Sequence, residues 1–334
     1  MPFVRYAGHP PKGNAHPSIM ITLSDIRAAH RRIDGRVHRT PVLSATRLGQ
    51  RAGATLVLKC ESLQRTGSFK VRGALNRVAQ LDEESRRRGV ITVSAGNHAQ
   101  ALAWASRDAG VRCTVVMPRA ASPTKVEASK GYGAEVVLHG VNSIEAFARA
   151  HELAAERELT FVHPFEDDEV QAGQGTVGLE ILDQVPDVEV VIVPIGGGGL
   201  IAGIAVAIKE QRPSVAVYGV EPTGAAAMRQ SLDAGRAVQL QSLQTIADGL
   251  AAPMAGERAY AVVARYVDDV VLVTDAEIAA SMRDLLLSAK LLAEGGGAAA
   301  TAALLAGRLP IGGKRVVSVV SGGNVDAERI KQIL

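Results

Sequence analysis

Lys70 stands where a lysine amine could act as a nucleophile. It follows the turn Thr-Gly-Ser at 66–68 and opens a helical pattern, with Ser68 as the expected cap of that helix. The helix dipole favours anions at its N-terminus, so a lysine in the first turn lies in an unfavourable field. Such an amine is a candidate for a lowered pKa and for attack on carbonyl carbons. Taken alone, Lys70 would far more often be an ordinary surface lysine.

A second segment, Val-Ser-Ala-Gly-Asn-His-Ala-Gln at 93–100, joins the end of a strand pattern to a helix start. Small residues let the backbone approach a ligand, and N–H groups at a helix start form an anion site suited to a carboxylate. Asn97 adds a hydrogen-bonding amide. For His98 alone a structural role is the more frequent outcome, so the prediction rests on the whole segment.

Four consecutive glycines at 196–199 separate a strand pattern from a helix pattern. Their unobstructed N–H groups at the positive end of a helix predict a phosphate cradle. A flexible linker is disfavoured because hydrophobic elements flank the glycines closely. A dinucleotide site is also disfavoured, although Glu221 ends the next strand, because Ile201 replaces the third glycine of that fingerprint.

The last segment, Ser-Val-Val-Ser-Gly-Gly-Asn at 318–324, ends a strand at Ser321. By itself it predicts only a turn. Its place at the carboxyl end of a strand, like the other segments, is where open α/β sheets bind ligands.

The elements that must position these segments alternate between short β-branched runs and Ala/Leu-rich helices, first over 89–158 and again from 188. This rhythm predicts an α/β fold with two open, mostly parallel units. Continuous apolar runs such as Val-Val-Ile-Val-Pro-Ile at 190–195 are typical of strands buried on both faces. Residues 1–20 are expected to form a mobile extension, with the first helix capped by Thr22 or Ser24.

Composition excludes several classes of function. The net charge of +3 arises from 37 basic and 34 acidic residues without a basic stripe, so nucleic acid is not an expected partner. The apolar stretch 188–208 is interrupted by Pro194 and the glycines, so no membrane span is expected. The start of the chain lacks a secretory pattern, and Cys60 and Cys113 lie in apolar runs without metal or disulfide spacing, which favours a cytoplasmic protein.

Together the four segments resemble the fold-type II pyridoxal 5′-phosphate (PLP) enzymes, and specifically the serine/threonine dehydratases with their serine racemase relatives. The resemblance runs from about Ile21 to the last strand and includes the segments 38–41, 172–176 and 247–249. It implies a large PLP-binding domain of residues 21–84 and 167–334, a small mobile domain of residues 85–166, and a homodimer. The chain ends soon after Ser321, so no C-terminal regulatory domain is expected.

The resemblance also assigns roles. Lys70 would form the Schiff base and move the Cα proton, Phe69 would pack near the ring, and Asn97 would contact the 3′-oxygen. The phosphate site would be formed by Gly196, Gly197, Gly198, Gly199 and Leu200, and Ser321 would contact the pyridine nitrogen. The substrate carboxylate would be bound by the loop of Ser94, Ala95, Gly96, Asn97 and His98. Glu294 would be an acid behind the cofactor. A hydroxyl such as that of Ser321 cannot keep the ring nitrogen protonated, so elimination should be nearly concerted with proton removal.

Three departures refine the expected activity. Racemase relatives carry a serine where this chain has Ala95, which disfavours stereoinversion. Ala227 replaces the aspartate of their cation site after Glu221, so no metal is expected. Glycines follow Glu294 where dehydratases have proline, which predicts a looser loop.

The expected function is elimination from an L-3-hydroxy amino acid such as threonine or serine, giving a 2-oxo acid and ammonia. Dehydratases of phenylserine or 3-hydroxyaspartate, a serine racemase, a β-replacement enzyme (disfavoured by His98) and a non-catalytic binding protein are the alternatives.

Overall fold

The computed structural model describes residues 20–334, and the predicted extension therefore lies almost wholly outside the described residues. The helices are α1 Leu23–Ile33, α2 Thr46–Ala52, α3 Lys70–Ala79, α4 Glu83–Arg88, α5 Asn97–Asp108, α6 Pro123–Gly131, α7 Ser143–Glu156, α8 Asp168–Gln184, α9 Gly199–Lys209, α10 Ala227–Ala234, α11 Glu257–Tyr266, α12 Asp275–Asp284, α13 Gly295–Leu305 and α14 Ala327–Ile333. The strands are β1 Val42–Ser44, β2 Thr55–Cys60, β3 Val90–Val93, β4 Cys113–Met117, β5 Glu135–Leu138, β6 Thr160–Phe161, β7 Val190–Pro194, β8 Ala216–Pro222, β9 Asp269–Val273 and β10 Arg315–Val320.

The strands form two sheets. One has six strands in the order β1-β2-β10-β7-β8-β9, in which only β1 runs antiparallel to its neighbour. The other has four parallel strands in the order β5-β4-β3-β6. This arrangement confirms the predicted α/β class with mostly parallel sheets. Among the helices described, none is long and apolar enough to cross a membrane.

The four-stranded sheet is built entirely within 90–161, and the six-stranded sheet takes strands from both sides of that segment. All five residues of β7 are buried, as expected for a strand covered on both faces. Helix α1 begins after Thr22, whose hydroxyl and Asp25 form a capping box. The division into a large domain and a small mobile one stays a prediction.

The predicted cap of α3 is wrong. The helix begins at Lys70 as expected, but Phe69 occupies the cap position and no side chain caps the helix. Ser68 is fully buried and pairs with Gly322 in an isolated β-bridge. The N–H of Phe69 donates to the carbonyl of Ser321 at 3.1 Å. Pairing with the chain after β10 therefore takes the place of a side-chain cap.

Four charged side chains form a buried network beneath the start of α3. Arg72 and Lys59 are completely inaccessible to solvent, as is Glu61, while Glu180 is 5% exposed. Arg72 bonds Glu61 through two nitrogens at 2.8 Å and Glu180 at 2.6 and 2.9 Å, and Lys59 reaches Glu180 at 2.6 Å. Burial would raise the pKa of Glu61, but the charge of Arg72 holds that pKa below its usual value. Two cations and two anions thus compensate one another.

Replacing Arg72 with leucine should lower the free energy of unfolding by about 3–5 kcal/mol, because two buried carboxylates lose their partner. Urea unfolding monitored by circular dichroism measures this change. The matched control is Arg39→Leu, which breaks an ion pair with Asp183 whose side chains are 58% and 68% exposed. That control should lower the free energy of unfolding by less than about 1 kcal/mol. Equal losses in the two variants would contradict a dominant role for the buried network.

Candidate active site

A cleft of about 940 Å³ lies where residues of the two sheets face each other. It is bordered on one side by the segments that follow β7 and β10, which are parallel neighbours whose carboxyl ends lie at one edge of the six-stranded sheet, and on the other by the segment that follows β3 of the four-stranded sheet. Every residue to which the resemblance assigns a role lines it: Phe69, Lys70, Ser94, Ala95, Gly96, Asn97, His98, Gly196, Gly197, Gly198, Gly199, Leu200, Glu294 and Ser321. The structure therefore brings these residues together, while their individual roles stay predictions.

Lys70 enters the cleft from the first turn of α3. Its Nζ donates to the carbonyl of Pro164 at 2.9 Å and lies 5.2 Å from the ring centre of Phe69. Burial lowers the pKa of Lys70 to about 8, and the nearby charge of Glu294 opposes this shift only in part. The lowered pKa was expected from the helix dipole, but burial is its largest cause. A partly neutral amine near pH 7 can act as a nucleophile or a base.

The glycine segment opens α9. Gly198 precedes the helix with a φ of +97°, a conformation that residues with a side chain rarely adopt, and no side chain caps the helix. A Cβ on Gly197 would lie only 2.3 Å from ring atoms of Phe165. Gly199 and Leu200, in the first turn of α9, line the cleft, and no side chain caps the N–H groups there. These N–H groups are suited to binding a phosphate group.

The segment after β3 forms a second helix start in the cleft. The hydroxyl of Ser94 accepts the N–H of Gly96 at 3.1 Å, and α5 begins at Asn97 without a side-chain cap. His98 is 2% exposed and its Nε2 lies 3.3 Å from the carbonyl of Val162. Burial, followed by the charge of Lys70, holds the pKa of His98 far below its usual value. His98 is thus neutral and held by the backbone, as a structural histidine would be.

Asn97, Glu294 and Ser321 meet on the side of the cleft formed by α13. The amide nitrogen of Asn97 donates to Glu294 Oε1 at 2.6 Å. Burial raises the pKa of Glu294 to about 7 although this hydrogen bond opposes the shift. Ser321 is 3% exposed, and its hydroxyl donates to the carbonyl of Gly296 at 3.3 Å.

The glycines after Glu294 do not loosen a loop, so that expectation is wrong. They form the first turn of α13 and are buried. A Cβ on Gly295 would lie 2.9 Å from Cα of Ala247, and one on Gly297 would lie 2.1 Å from the carbonyl oxygen of Gly322. Their lack of side chains lets α13 pack directly against neighbouring backbone, which holds this part of the cleft tightly.

Sequence reasoning missed the segment 163–165, which links β6 to α8. His163 Nδ1 accepts the N–H of Glu166 at 2.8 Å and that of Phe165 at 3.3 Å. Burial lowers the pKa of His163 to about 3, so its ring is a neutral acceptor at pH 7. The same segment supplies the Pro164 carbonyl to Lys70. The sequence signal that could have indicated this segment is Pro164 and Phe165, which follow the end of β6 within four residues.

Sequence reasoning also missed an ion pair that spans the cleft. Lys125 of α6 lies 2.8 Å from Asp248, which belongs to the segment between α10 and α11. It joins the unit containing the four-stranded sheet to the unit containing the six-stranded one.

Elsewhere, both carboxylate oxygens of Glu221 accept backbone N–H groups, from Met228 and Arg229 at 2.8 Å each. Among residues 20–334 no cluster of three or more His, Cys, Asp or Glu side chains could hold a metal ion.

The fold and the cleft define an α/β protein in which a lysine amine of lowered pKa and a glycine-rich helix start without a side-chain cap line the same cleft. Residues 33–322 match the family model described as pyridoxal-phosphate dependent enzyme, and the chain belongs to this family. The Lys70 amine and the start of α9 are suited to the aldehyde and the phosphate of PLP, respectively, so the residues present fit this cofactor.

Several named proteins and solved structures are similar to this chain. L-threonine ammonia-lyase of Thermotoga maritima is 46% identical over 315 residues, which cover 94% of this chain and 78% of that protein. Catabolic L-threonine dehydratase of Staphylococcus aureus is 44% identical over 319 residues, with 94% and 92% coverage. The structure of maize serine racemase is similar with a TM-score of 0.91, at 38% identity and with 94% and 97% coverage.

Covalent attachment of added PLP to the protein freed of cofactor should accelerate as the pH rises through about 8, because only the neutral Lys70 amine attacks the aldehyde. At pH 7 roughly one-tenth of an amine with this pKa is neutral, far more than of an ordinary lysine. Stopped-flow absorbance gives the rate, and reductive trapping with mass spectrometry gives the modified residue. A rate that does not change with pH, or label mainly on exposed Lys331, would contradict this assignment.

Proposed function

We propose that this chain is a PLP-dependent ammonia-lyase that converts L-threonine or L-serine to a 2-oxo acid and ammonia by β-elimination. The observation that carries the proposal is the half-buried Lys70 amine with a pKa of about 8 in a cleft where Ala95 presents only a methyl group. A base on one side of the substrate supports proton removal without proton return to the other side. The named activities of the relatives from Thermotoga and Staphylococcus support the same reaction.

The chain's own groups divide the work as follows. Bound PLP supplies an electron sink that acidifies the substrate Cα–H bond. The first turn of α9 holds the phosphate, and the start of α5 binds the substrate carboxylate through backbone N–H groups. Lys70 takes the Cα proton while the Cβ–O bond breaks, and the resulting Lys70 ammonium returns this proton to the departing hydroxyl, which leaves as water. The enamine product then takes up water and loses ammonia, which leaves a 2-oxo acid.

Racemisation is the second candidate because of the likeness to maize serine racemase. It requires an acid–base group on the face opposite Lys70. Ala95 has none, and the neighbouring hydroxyl of Ser94 is engaged by the N–H of Gly96. Elimination is therefore the better supported reaction.

The β-substituent of the substrate is proposed to be small and uncharged. A β-carboxylate, as in 3-hydroxyaspartate, would need a cationic partner in the cleft. Lys125 already pairs with Asp248, so its charge is compensated, and Arg329, which also lines the cleft, donates to Gln332 on its own helix. Phenylserine remains a testable alternative, since residues 120–125 and 246–253 contribute to the cleft wall.

We also propose that the enzyme is cytoplasmic and a homodimer. Cys60 and Cys113 are free and buried, which suits a reducing compartment. The homodimer is carried over from the resemblance. Size-exclusion chromatography with light scattering tests it, and a mass of about 35 kDa, equal to the 34.9 kDa of one chain, would exclude it.

Purified holoenzyme should release 2-oxo acid from L-threonine or L-serine faster than from phenylserine or 3-hydroxyaspartate, as measured by coupled reduction of the product. Lys70→Ala should lower the rate by about 10³-fold or more, because base and cofactor anchor are lost together. Lys314→Ala, a lysine in the turn before β10, is the matched control and should retain the wild-type rate. Turnover by Lys70→Ala would exclude the mechanism.

Ala95→Ser should introduce measurable D-serine formation from L-serine, because it adds a hydroxyl at the position where racemase relatives carry serine. Chiral chromatography measures the product, with wild type expected to form none. Ala120→Ser adds a hydroxyl elsewhere in the same cleft and should not produce D-serine. D-serine formation by the wild type at a rate comparable to elimination would favour the racemase alternative.

A further inference from the structure

A backbone carbonyl determines the orientation of the Asn324 amide, which lies beyond β10 at the edge of the cleft. Nδ2 of Asn324 is 2.8 Å from the carbonyl oxygen of Thr66. A carbonyl oxygen can only accept a hydrogen bond, so the nitrogen end of the amide must face Thr66. The oxygen end lies over Gly67, where a Cβ would be only 2.3 Å from Oδ1. The glycine therefore leaves the space that this orientation needs.

The orientation passes from Asn324 to Asn97. The same Nδ2 of Asn324 lies 2.7 Å from Oδ1 of Asn97. Because Asn324 donates at this contact, only the carbonyl end of Asn97 can face it favourably. The nitrogen end of Asn97 then faces Glu294 and donates to Oε1 at 2.6 Å. The carbonyl of Thr66, acting through Asn324, and the carboxylate of Glu294 therefore favour the same orientation of the Asn97 amide.

This series of hydrogen bonds limits which groups of Asn97 can bind a ligand. The carbonyl oxygen of Asn97 is occupied by Asn324, and one of its two amide protons is occupied by Glu294. The second proton remains for a bound molecule in the cleft that Asn97 lines. Asn97 thus presents a donor, and the complementary ligand atom is an acceptor, most favourably an oxyanion.

We propose that Asn324 is a positioning residue, which fixes Asn97 as a hydrogen-bond donor toward the 3′-oxygen of the cofactor. This inference rests on the proposed function, because it takes PLP as the molecule in the cleft. It gives a role to a residue that the motif at 318–324 contains but that sequence reasoning left without one.

Asn324→Asp tests the proposal with a side chain of the same shape that has lost the donor. In holoenzyme labelled with ¹⁵N-asparagine, the five asparagines give few side-chain signals, and those of Asn97 should shift. The dependence of the bound cofactor's absorbance on pH should change, because the 3′-oxygen loses a hydrogen-bond donor. Affinity for PLP, measured by titration of the cofactor-free protein, should fall about tenfold.

Gly67→Ala is a second variant that adds no charge. Its Cβ collides with Oδ1 of Asn324 at a residue whose φ is +72°, so the same shifts are expected while Asn324 is retained. Gln50→Glu, an exposed amide-to-carboxylate change on α2 outside the cleft, is the control for charge and should reproduce the wild-type spectra. Circular dichroism verifies that each variant is folded.

The outcomes separate the two proposals. If the wild type has lyase activity but Asn324→Asp and Gly67→Ala leave the Asn97 signals, the absorbance profile and the PLP affinity unchanged, the positioning role is wrong. If the variants shift these properties while the wild type has no lyase activity on any 3-hydroxy amino acid, the positioning role stands and the proposed reaction fails.

Discussion

The buried pairing of Arg72 with Glu61 and Glu180 is the constraint on which the site depends. Desolvating these charges is costly, and the cost is offset only if each partner stays in its place. Arg72 lies two residues after Lys70 in α3, while its partners come from the end of β2 and from α8. The network therefore fixes the start of α3 relative to the six-stranded sheet, and with it the position of the reactive amine.

Close backbone packing reinforces the same position. A Cβ on Gly73 would lie 2.4 Å from the amide of Gln174, and one on Gly173 would lie 2.6 Å from Cα of Gly73. Helices α3 and α8 can therefore approach at a distance that larger residues forbid. Charge pairing and close contact act on the same pair of helices, so a tilt of α3 would disturb both.

The sequence was sufficient to predict the class of fold and the residues around the cleft, for a physical reason. Parallel strands gather their carboxyl ends at one edge of a sheet, so the motifs after β7 and β10 meet in space, and the motif after β3 of the other sheet lines the same cleft. The position of Phe165 beside Gly197 and the contact of Asn324 with Asn97 could not be predicted, because these partners are distant in the chain and are not implied by local pattern. The errors at Ser68 and at residues 295–297 have one origin. Local rules favour a side-chain cap or a loose glycine loop, whereas here tertiary backbone contacts determine both.

Phe165 has a consequence for how this sequence can vary. Its ring fills the space that a side chain on Gly197 would need, and its Cβ lies 3.2 Å from the position of a Cβ on Gly199. Gly256 is restricted by the same ring, at 3.1 Å, and by the carboxylate of Glu166 at 2.0 Å. A larger residue at 197 thus becomes acceptable only after position 165 has become smaller. The order in which substitutions accumulate at these positions is constrained, and across descendants of this chain they should change as correlated pairs.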